Sequence, residues 1–173
     1  MSREMSLEAR KAIPQARALE ALRVEAEPLF AVLDTARNPR VLKLLQAARP
    51  EYESLYEGPE GEELAEVAPY LVSLPRDSHL LEQLVRGGWG DSWGCFLTSP
   101  LPLGETRRHL RKFLKVQDAS TGRQLYFRFY DPRVLRAFLP TCTAEQHAGF
   151  FGPLGCFLVE GAKGELLRFR RSS

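Results

Sequence analysis

The sequence predicts a single α/β domain, in which a mixed β-sheet is flanked by helices, with a helix at the N-terminus and a β-hairpin at the C-terminus. Segments of helical character alternate with short apolar segments of strand length along the whole chain. Residues 29–33 and 67–74 are apolar on both faces, which is typical of strands covered on both sides. The 173 residues fit one domain, and no Ser/Pro/Gly-rich linker divides them.

Helices are predicted from helix-forming composition, apolar periodicity and capping signals. The predicted helical segments are residues 1–27, 39–48, 79–85, 103–114 and 132–139, with a short helix after Thr143. Asn38 and Asp131 each precede a proline, as an N-cap residue precedes proline at the first helical position. Thr143 and Gln146 have the spacing of a capping box.

Strands are predicted where apolar residues run continuously or alternate with polar ones. The predicted strands are residues 29–33, 67–74, 95–98, a strand around Val116, residues 125–130, and a terminal hairpin of 157–159 with 166–169. In residues 125–130 the strand period places Tyr126, Arg128 and Tyr130 on the face opposite the apolar side chains.

Charge is segregated along the chain although the formal net charge is only +2. Residues 51–66 contain seven Glu and no basic residue, which predicts an exposed acidic loop, whereas residues 105–115 predict a basic helix. Such a dipolar surface suits docking to charged protein partners. The small total charge does not indicate binding to nucleic acid or to a membrane. Because no apolar stretch follows the N-terminal positive charge, we expect a cytoplasmic protein.

Common enzyme and cofactor signatures are absent from the sequence. The three cysteines, Cys95, Cys142 and Cys156, lack metal-ligand spacing and are expected to be buried thiols. The glycine-rich turn Gly87–Gly94 precedes a strand, whereas a phosphate-binding loop leads into a helix N-terminus. No hydrolase motif is present. We therefore expect neither a cofactor nor a metal, and a protein that is not an enzyme.

Two groups of residues are candidates for recognition. The first group could form or maintain a recognition face and comprises Arg128, Tyr130, Asp131 and Arg133. Arg128 could stack on the two neighbouring tyrosines, or pair with Asp131 or another acidic group. The second group supplies candidate docking charges and comprises Arg107, Arg108, Arg111 and Lys112. Two alternatives stay open: a small enzyme with an unfamiliar site near Asp34, Trp89 and Arg128, or a nucleic-acid-binding domain that uses the basic helix 105–115.

Six segments, taken in order, resemble one family. They are Phe30–Ala36, Ala68–Leu74, Gly88–Ser99, Leu110–Val116, Phe127–Leu135 (FRFYDPRVL) and Phe150–Pro153. Together they resemble the effector adaptor chaperones of the bacterial type VI secretion system, the Tap or Tec family, long catalogued as a domain of unknown function. The resemblance covers about residues 28–155, within a predicted adaptor domain of residues 28–173.

The resemblance implies a non-enzymatic role. Family members bind a toxic effector in the cytoplasm and deliver it to the spike protein VgrG or to its PAAR-containing tip. Many members carry a variable C-terminal extension that is thought to help select the effector, whereas this sequence has room for only a hairpin after Phe151-Gly152-Pro153. We therefore expect the shared domain or the helical segment 1–27 to select the effector, unless a second protein does so.

Overall fold

The computed structural model describes residues 6–172, and the first five residues of the predicted segment 1–27 lie outside this range. The helices are α1 Leu7–Arg23, α2 Pro39–Ala48, α3 Gly58–Glu63, α4 His79–Gly88, α5 Leu103–Arg111, α6 Pro132–Phe138 (followed by a 3₁₀ turn, Leu139–Thr141) and α7 Ala144–Phe151. The strands are β1 Leu29–Asp34, β2 Tyr52–Ser54, β3 Pro69–Ser73, β4 Gly94–Thr98, β5 Lys115–Gln117, β6 Gln124–Tyr126, β7 Cys156–Glu160 and β8 Leu166–Arg170.

Six strands form the main sheet in the order β2-β3-β1-β4-β7-β8, and β5 pairs with β6 in a separate ribbon. The predicted α/β class, the N-terminal helix and the C-terminal hairpin β7–β8 are confirmed. The direction of the strands differs from the prediction, because each pair of neighbours in residues 6–172 is antiparallel and the sheet is therefore not mixed. The apolar runs reflect helices on both faces rather than parallel neighbours.

Two hydrophobic cores lie on the two faces of the sheet. Leu29, Ala31 and Leu33 of β1 join a core with residues of α1, α2 and α4. The alternate residues Phe30 and Val32 join the other core, with residues of α5, α6 and α7. Because successive side chains of a strand point to opposite faces, β1 must be apolar at every position between these two layers.

The predicted helix starts are confirmed at three places. The Asn38 side chain accepts a hydrogen bond from the Arg40 N–H at 2.9 Å, and Asp131 Oδ1 accepts one from the Arg133 N–H at 2.9 Å. Thr143 begins α7 with the complete capping box. Each side chain satisfies an N–H group that a helix leaves unpaired in its first turn.

The acidic segment 51–66 is more ordered than predicted. It contains β2 and α3, and Leu55 between them is fully buried. The expectation of a loop is wrong here because β2 pairs with β3 along the edge of the sheet. Apolar side chains within the glutamate run hold the segment against the domain while its carboxylates face outward.

The strand predicted over 125–130 is also shorter than expected. β6 ends at Tyr126, and Phe129 and Tyr130 are both buried. The predicted alternation of apolar and polar side chains stops after Tyr126 because the chain turns towards α6. In this turn the Asp131 N–H donates to the Arg128 carbonyl at 3.0 Å. This turn brings Arg128 to the end of β1.

Candidate functional site

Arg128 and Asp34 form an ion pair at the end of β1. Asp34 is buried, whereas the Arg128 side chain is 47% exposed. The second carboxylate oxygen of Asp34 accepts a hydrogen bond from the Ala36 N–H at 3.0 Å. The Arg128 guanidinium also lies 5.9 Å from the centre of the Tyr130 ring. Arg128 therefore lies against Tyr130, one of the two tyrosines expected, and its acidic partner is Asp34 rather than Asp131, which pairs with Arg133. The outer side of Arg128 remains open to solvent.

Tyr56 and Tyr130 lie beside this ion pair. Burial raises the pKa of Tyr130 above its ordinary value, and the neighbouring Tyr56 and the Asp34 carboxylate raise it further. Burial likewise raises the pKa of Tyr56. Burial opposes the charge of Arg128, but the Asp34 carboxylate outweighs it and raises the pKa of the guanidinium. The two phenols are therefore uncharged at neutral pH, and the guanidinium beside them stays protonated.

Asp131 and Arg133 form a local pair at the start of α6. Arg133 donates to the Asp131 carboxylate from Nε at 3.0 Å and from Nη2 at 2.7 Å. Burial acts to raise the pKa of Asp131, but the hydrogen bonds and charge of Arg133 outweigh it and lower the pKa. Asp131 therefore holds the turn and caps α6, while the Arg133 side chain remains 53% exposed.

The basic helix α5 packs against the acidic segment. Arg107 donates to the Ser54 carbonyl at 2.7 Å and to Glu57 Oε1 at 3.0 Å. Arg111, one turn later, binds the other Glu57 oxygen at 2.9 Å and also binds the Leu55 carbonyl. These two arginines, expected as docking charges, are thus engaged within the domain. The charges that sequence alone assigns to two separate surfaces therefore partly neutralise one another here, through Glu53 and Glu57.

Arg108 lies on α5 directly after Arg107, and Lys112 caps the helix directly after Arg111. Both side chains are exposed. Neither forms an ion pair within residues 6–172. Beyond the helix, Lys115 lies 3.5 Å from a Glu60 carboxylate oxygen. Of the cations predicted on α5, Arg108 and Lys112 are therefore the ones directed towards solvent.

Tyr56 joins α5 to the Arg128 cluster. Its carbonyl accepts a hydrogen bond from Arg107 Nη2 at 3.3 Å. Its ring packs edge-to-face against Tyr126, with centroids 5.9 Å apart, and its phenol contributes to the electrostatics of Tyr130. Tyr56 therefore connects Arg107 of the second predicted group to Arg128 and Tyr130 of the first. Sequence reasoning missed Tyr56 because it lies in the glutamate-rich segment, although an aromatic residue beside a buried leucine was a usable signal.

The tryptophan turn between α4 and β4 holds a carboxylate of the protein itself. Glu160, at the end of β7, accepts hydrogen bonds from the Gly90 N–H at 2.6 Å and the Ser92 N–H at 2.8 Å. Gly90 and Ser92 both have positive φ, which turns their N–H groups towards one point, as in an anion-binding nest. Burial raises the pKa of Glu160, although these donors oppose the shift. Sequence reasoning missed Glu160.

The glycines before this turn serve packing. The helix predicted over residues 79–85 is longer in the structure, because α4 includes Gly87 and ends at Gly88. A Cβ atom on Gly88 would lie 2.4 Å from Trp93 Cδ2. The indole ring of Trp93 thus occupies the space that any larger residue would need.

The cysteines are not activated nucleophiles. Burial raises the pKa of Cys95 to about 12 and also raises the pKa values of Cys142 and Cys156. Among residues 6–172, no group of three or more His, Cys, Asp and Glu side chains could hold a metal ion. In the same range, no helix is both long and apolar enough to cross a membrane.

The sequence was compared with protein families, curated proteins and solved structures. No curated protein and no solved structure matches it. A family model described as "Domain of unknown function (DUF4123)" matches residues 29–148, which span β1 to α7 and include Asp34, Tyr56, the tryptophan turn and Arg128. This match covers more than half of the sequence, and the chain therefore belongs to the DUF4123 family.

Proposed function

We propose that this protein is a non-enzymatic adaptor that binds a toxic effector in the cytoplasm and loads it onto the VgrG spike, or its PAAR-containing tip, of a bacterial type VI secretion system. The observation that carries the proposal is the family match over residues 29–148, which contains the FRFYDPRVL segment through which the sequence resembles those adaptors. The effector and the spike are the expected partners.

The state of the ionisable groups supports an adaptor over an enzyme. Both oxygens of Asp34 are engaged, by Arg128 and by the Ala36 N–H. His109 is buried, and its Nε2 lies 2.7 Å from the Phe150 carbonyl oxygen. These contacts hold both groups within the fold, whereas a nucleophile or general base must lie within hydrogen-bond reach of a substrate.

The candidate recognition face comprises Tyr56, Tyr126 and Arg128, with Lys112 lining the cavity beside Tyr56. Arg108 is included as the exposed cation one helical turn before Lys112. Tyr126 is 50% exposed and Arg128 keeps a solvent-facing side, so the face combines aromatic surface with cations. Tyrosine and arginine are enriched among the residues that dominate binding energy at protein interfaces. The neutralisation of Arg107 and Arg111 by Glu53 and Glu57 favours a protein partner over the extended basic stripe that nucleic acid requires.

Co-purification tests this proposal. The tagged full-length chain is co-expressed with the products of its neighbouring genes, and we expect a VgrG-like protein and a toxin to be recovered with it. Recovery of neither partner would refute the adaptor function.

A charge-reversed variant tests the face. Arg108→Glu with Lys112→Glu should reduce recovery of one partner at least severalfold, because both side chains are exposed. Lys43→Glu with Arg49→Glu, two exposed cations on α2 and at its C-terminal cap, makes the same charge change elsewhere and should leave recovery unchanged. Equal recovery with both variants would remove α5 from the interface.

A further inference from the structure

A cavity of about 280 Å³ lies where α1, the tryptophan turn, α6 and the β7–β8 turn meet. Pro14 and the small exposed edge of Trp89, which is otherwise buried, provide apolar surface in its lining. The cationic lining residues come from three of these elements and are Arg10, Lys11, Arg133, Arg136 and Lys163. Glu160 is the acidic residue in the lining, and its carboxylate is already bound by the N–H groups of the tryptophan turn.

Internal partners neutralise only part of this positive charge. Lys11 lies 3.2 Å from a carboxylate oxygen of Asp91, and Arg133 is paired with Asp131. The remaining cations are Arg10, Arg136 and Lys163, and none of them forms an ion pair within residues 6–172. Arg136 instead donates to the Glu160 carbonyl at 2.7 Å, which fixes its guanidinium at the cavity wall. The cavity therefore has an excess of positive charge beside an apolar surface.

The helix that forms one wall is held in place by polar contacts. Gln15 Nε2 on α1 donates to the Arg86 carbonyl at 3.2 Å and to the Trp89 carbonyl at 3.3 Å. On the opposite side, Trp89 Nε1 donates to the Gly164 carbonyl at 2.8 Å. These bonds link α1 and the β7–β8 turn to the same tryptophan turn, so the cations are presented on anchored backbone.

The cavity is lined both by residues that the family model matches and by residues outside that match. Arg133 and Arg136 lie within the matched residues 29–148, whereas Arg10 and Lys163 lie outside them. A site built in this way can differ between family members that share the central fold. That property suits the selection of one cargo among many.

We propose that this cavity binds an acidic peptide segment of the cargo, an inference that rests on the adaptor function proposed above. Carboxylate side chains complement Arg10, Arg136 and Lys163, and the peptide's aliphatic atoms complement Trp89 and Pro14. The cations are spread around about 280 Å³ and are not focused on one point, which suits several carboxylates along a chain better than one compact inorganic anion.

The test uses a fluorescein-labelled peptide of eight glutamates, the full-length protein and fluorescence anisotropy. The variant Arg10→Glu with Lys163→Glu reverses two exposed cavity cations. The control Lys43→Glu with Arg49→Glu reverses two exposed cations on α2 and at its C-terminal cap, away from the cavity lining, and gives the same net charge. Circular dichroism confirms that both variants fold.

We expect the cavity variant to bind the peptide about tenfold more weakly and the control to bind within about twofold of the original protein. Equal weakening by both variants, no binding by the original protein at low salt, or displacement of the peptide by millimolar inorganic phosphate would overturn the proposal. Because this assay needs no spike or toxin, its result is independent of the co-purification: a failed co-purification with intact peptide binding would refute the adaptor function alone.

Discussion

The substitution Gly88→Ala tests the packing of the tryptophan turn directly. The added Cβ would lie 2.4 Å from Trp93 Cδ2, 2.5 Å from Cε3 and 2.6 Å from Cγ, well inside van der Waals contact. Trp93 is only 3% exposed and packs in the core beneath α4. The ring therefore has little room to retreat, and the substitution must displace either α4 or the turn.

The expected change in the free energy of unfolding of Gly88→Ala is the sum of two opposing contributions. Overpacking of a well-packed core costs about 1–3 kcal/mol, and three simultaneous ring contacts place this site at the upper end. Replacing glycine by alanine inside a helix returns up to about 1 kcal/mol. We therefore expect a loss of about 2 kcal/mol in the free energy of unfolding, which lowers the Tm of a chain of this size by about 4–8 °C.

Gly104→Ala is the matched control. Gly104 lies in α5, and a Cβ added there meets no atom within 4 Å. Only the higher helix propensity of alanine applies here, so we expect the free energy of unfolding to increase by about 0.5–1 kcal/mol. Urea titration and thermal melting followed by circular dichroism measure both variants. If Gly88→Ala were neutral or stabilising like the control, the packing of Trp93 against α4 would be refuted.

Two further predictions concern charged contacts. Glu160→Ala should lower the free energy of unfolding by about 2–4 kcal/mol, because it leaves the Gly90 and Ser92 N–H groups unpaired. Glu160→Gln should lower it by less, because the amide oxygen can still accept a hydrogen bond. Because burial raises the pKa of Glu160 above 4.5, its contribution to stability falls as pH rises from that value through the folded pKa. The glutamine variant should lack this fall, and an unchanged pH dependence of urea unfolding would contradict the assignment. Glu57→Gln and Arg111→Gln should show a coupling of about 0.5–1 kcal/mol in a double-mutant cycle, and zero coupling would contradict the pairing of α5 with the acidic segment.

Local signals in the sequence predicted much of the fold. Asn38, Asp131 and Thr143 mark helix starts because a cap is decided within a few residues. The apolar run of β1 predicted a strand between two layers. Strand direction could not be read in this way, since it depends on which segments become neighbours after the chain has folded.

The arrangement of the candidate site depends on tertiary contacts more than the helix starts and strands do. Arg128 was expected to meet an aromatic ring and an acidic group, but Asp34 is 94 positions away in the sequence and no local pattern links them. For the same reason, Arg107 and Arg111 were expected on a docking surface, whereas they contact Glu57. Charge patterning shows which residues are charged, and only the fold shows which of those charges remain available.

The order of strands in the main sheet bears on how the protein behaves at high concentration. An open antiparallel sheet has two edges, and an unprotected edge is a template for aggregation. Here β2, at one edge, is only three residues long, and β8, at the other, carries Arg168 and Arg170. A short strand and a charged strand both discourage the addition of a second copy, so the sheet is protected against edge-to-edge polymerisation.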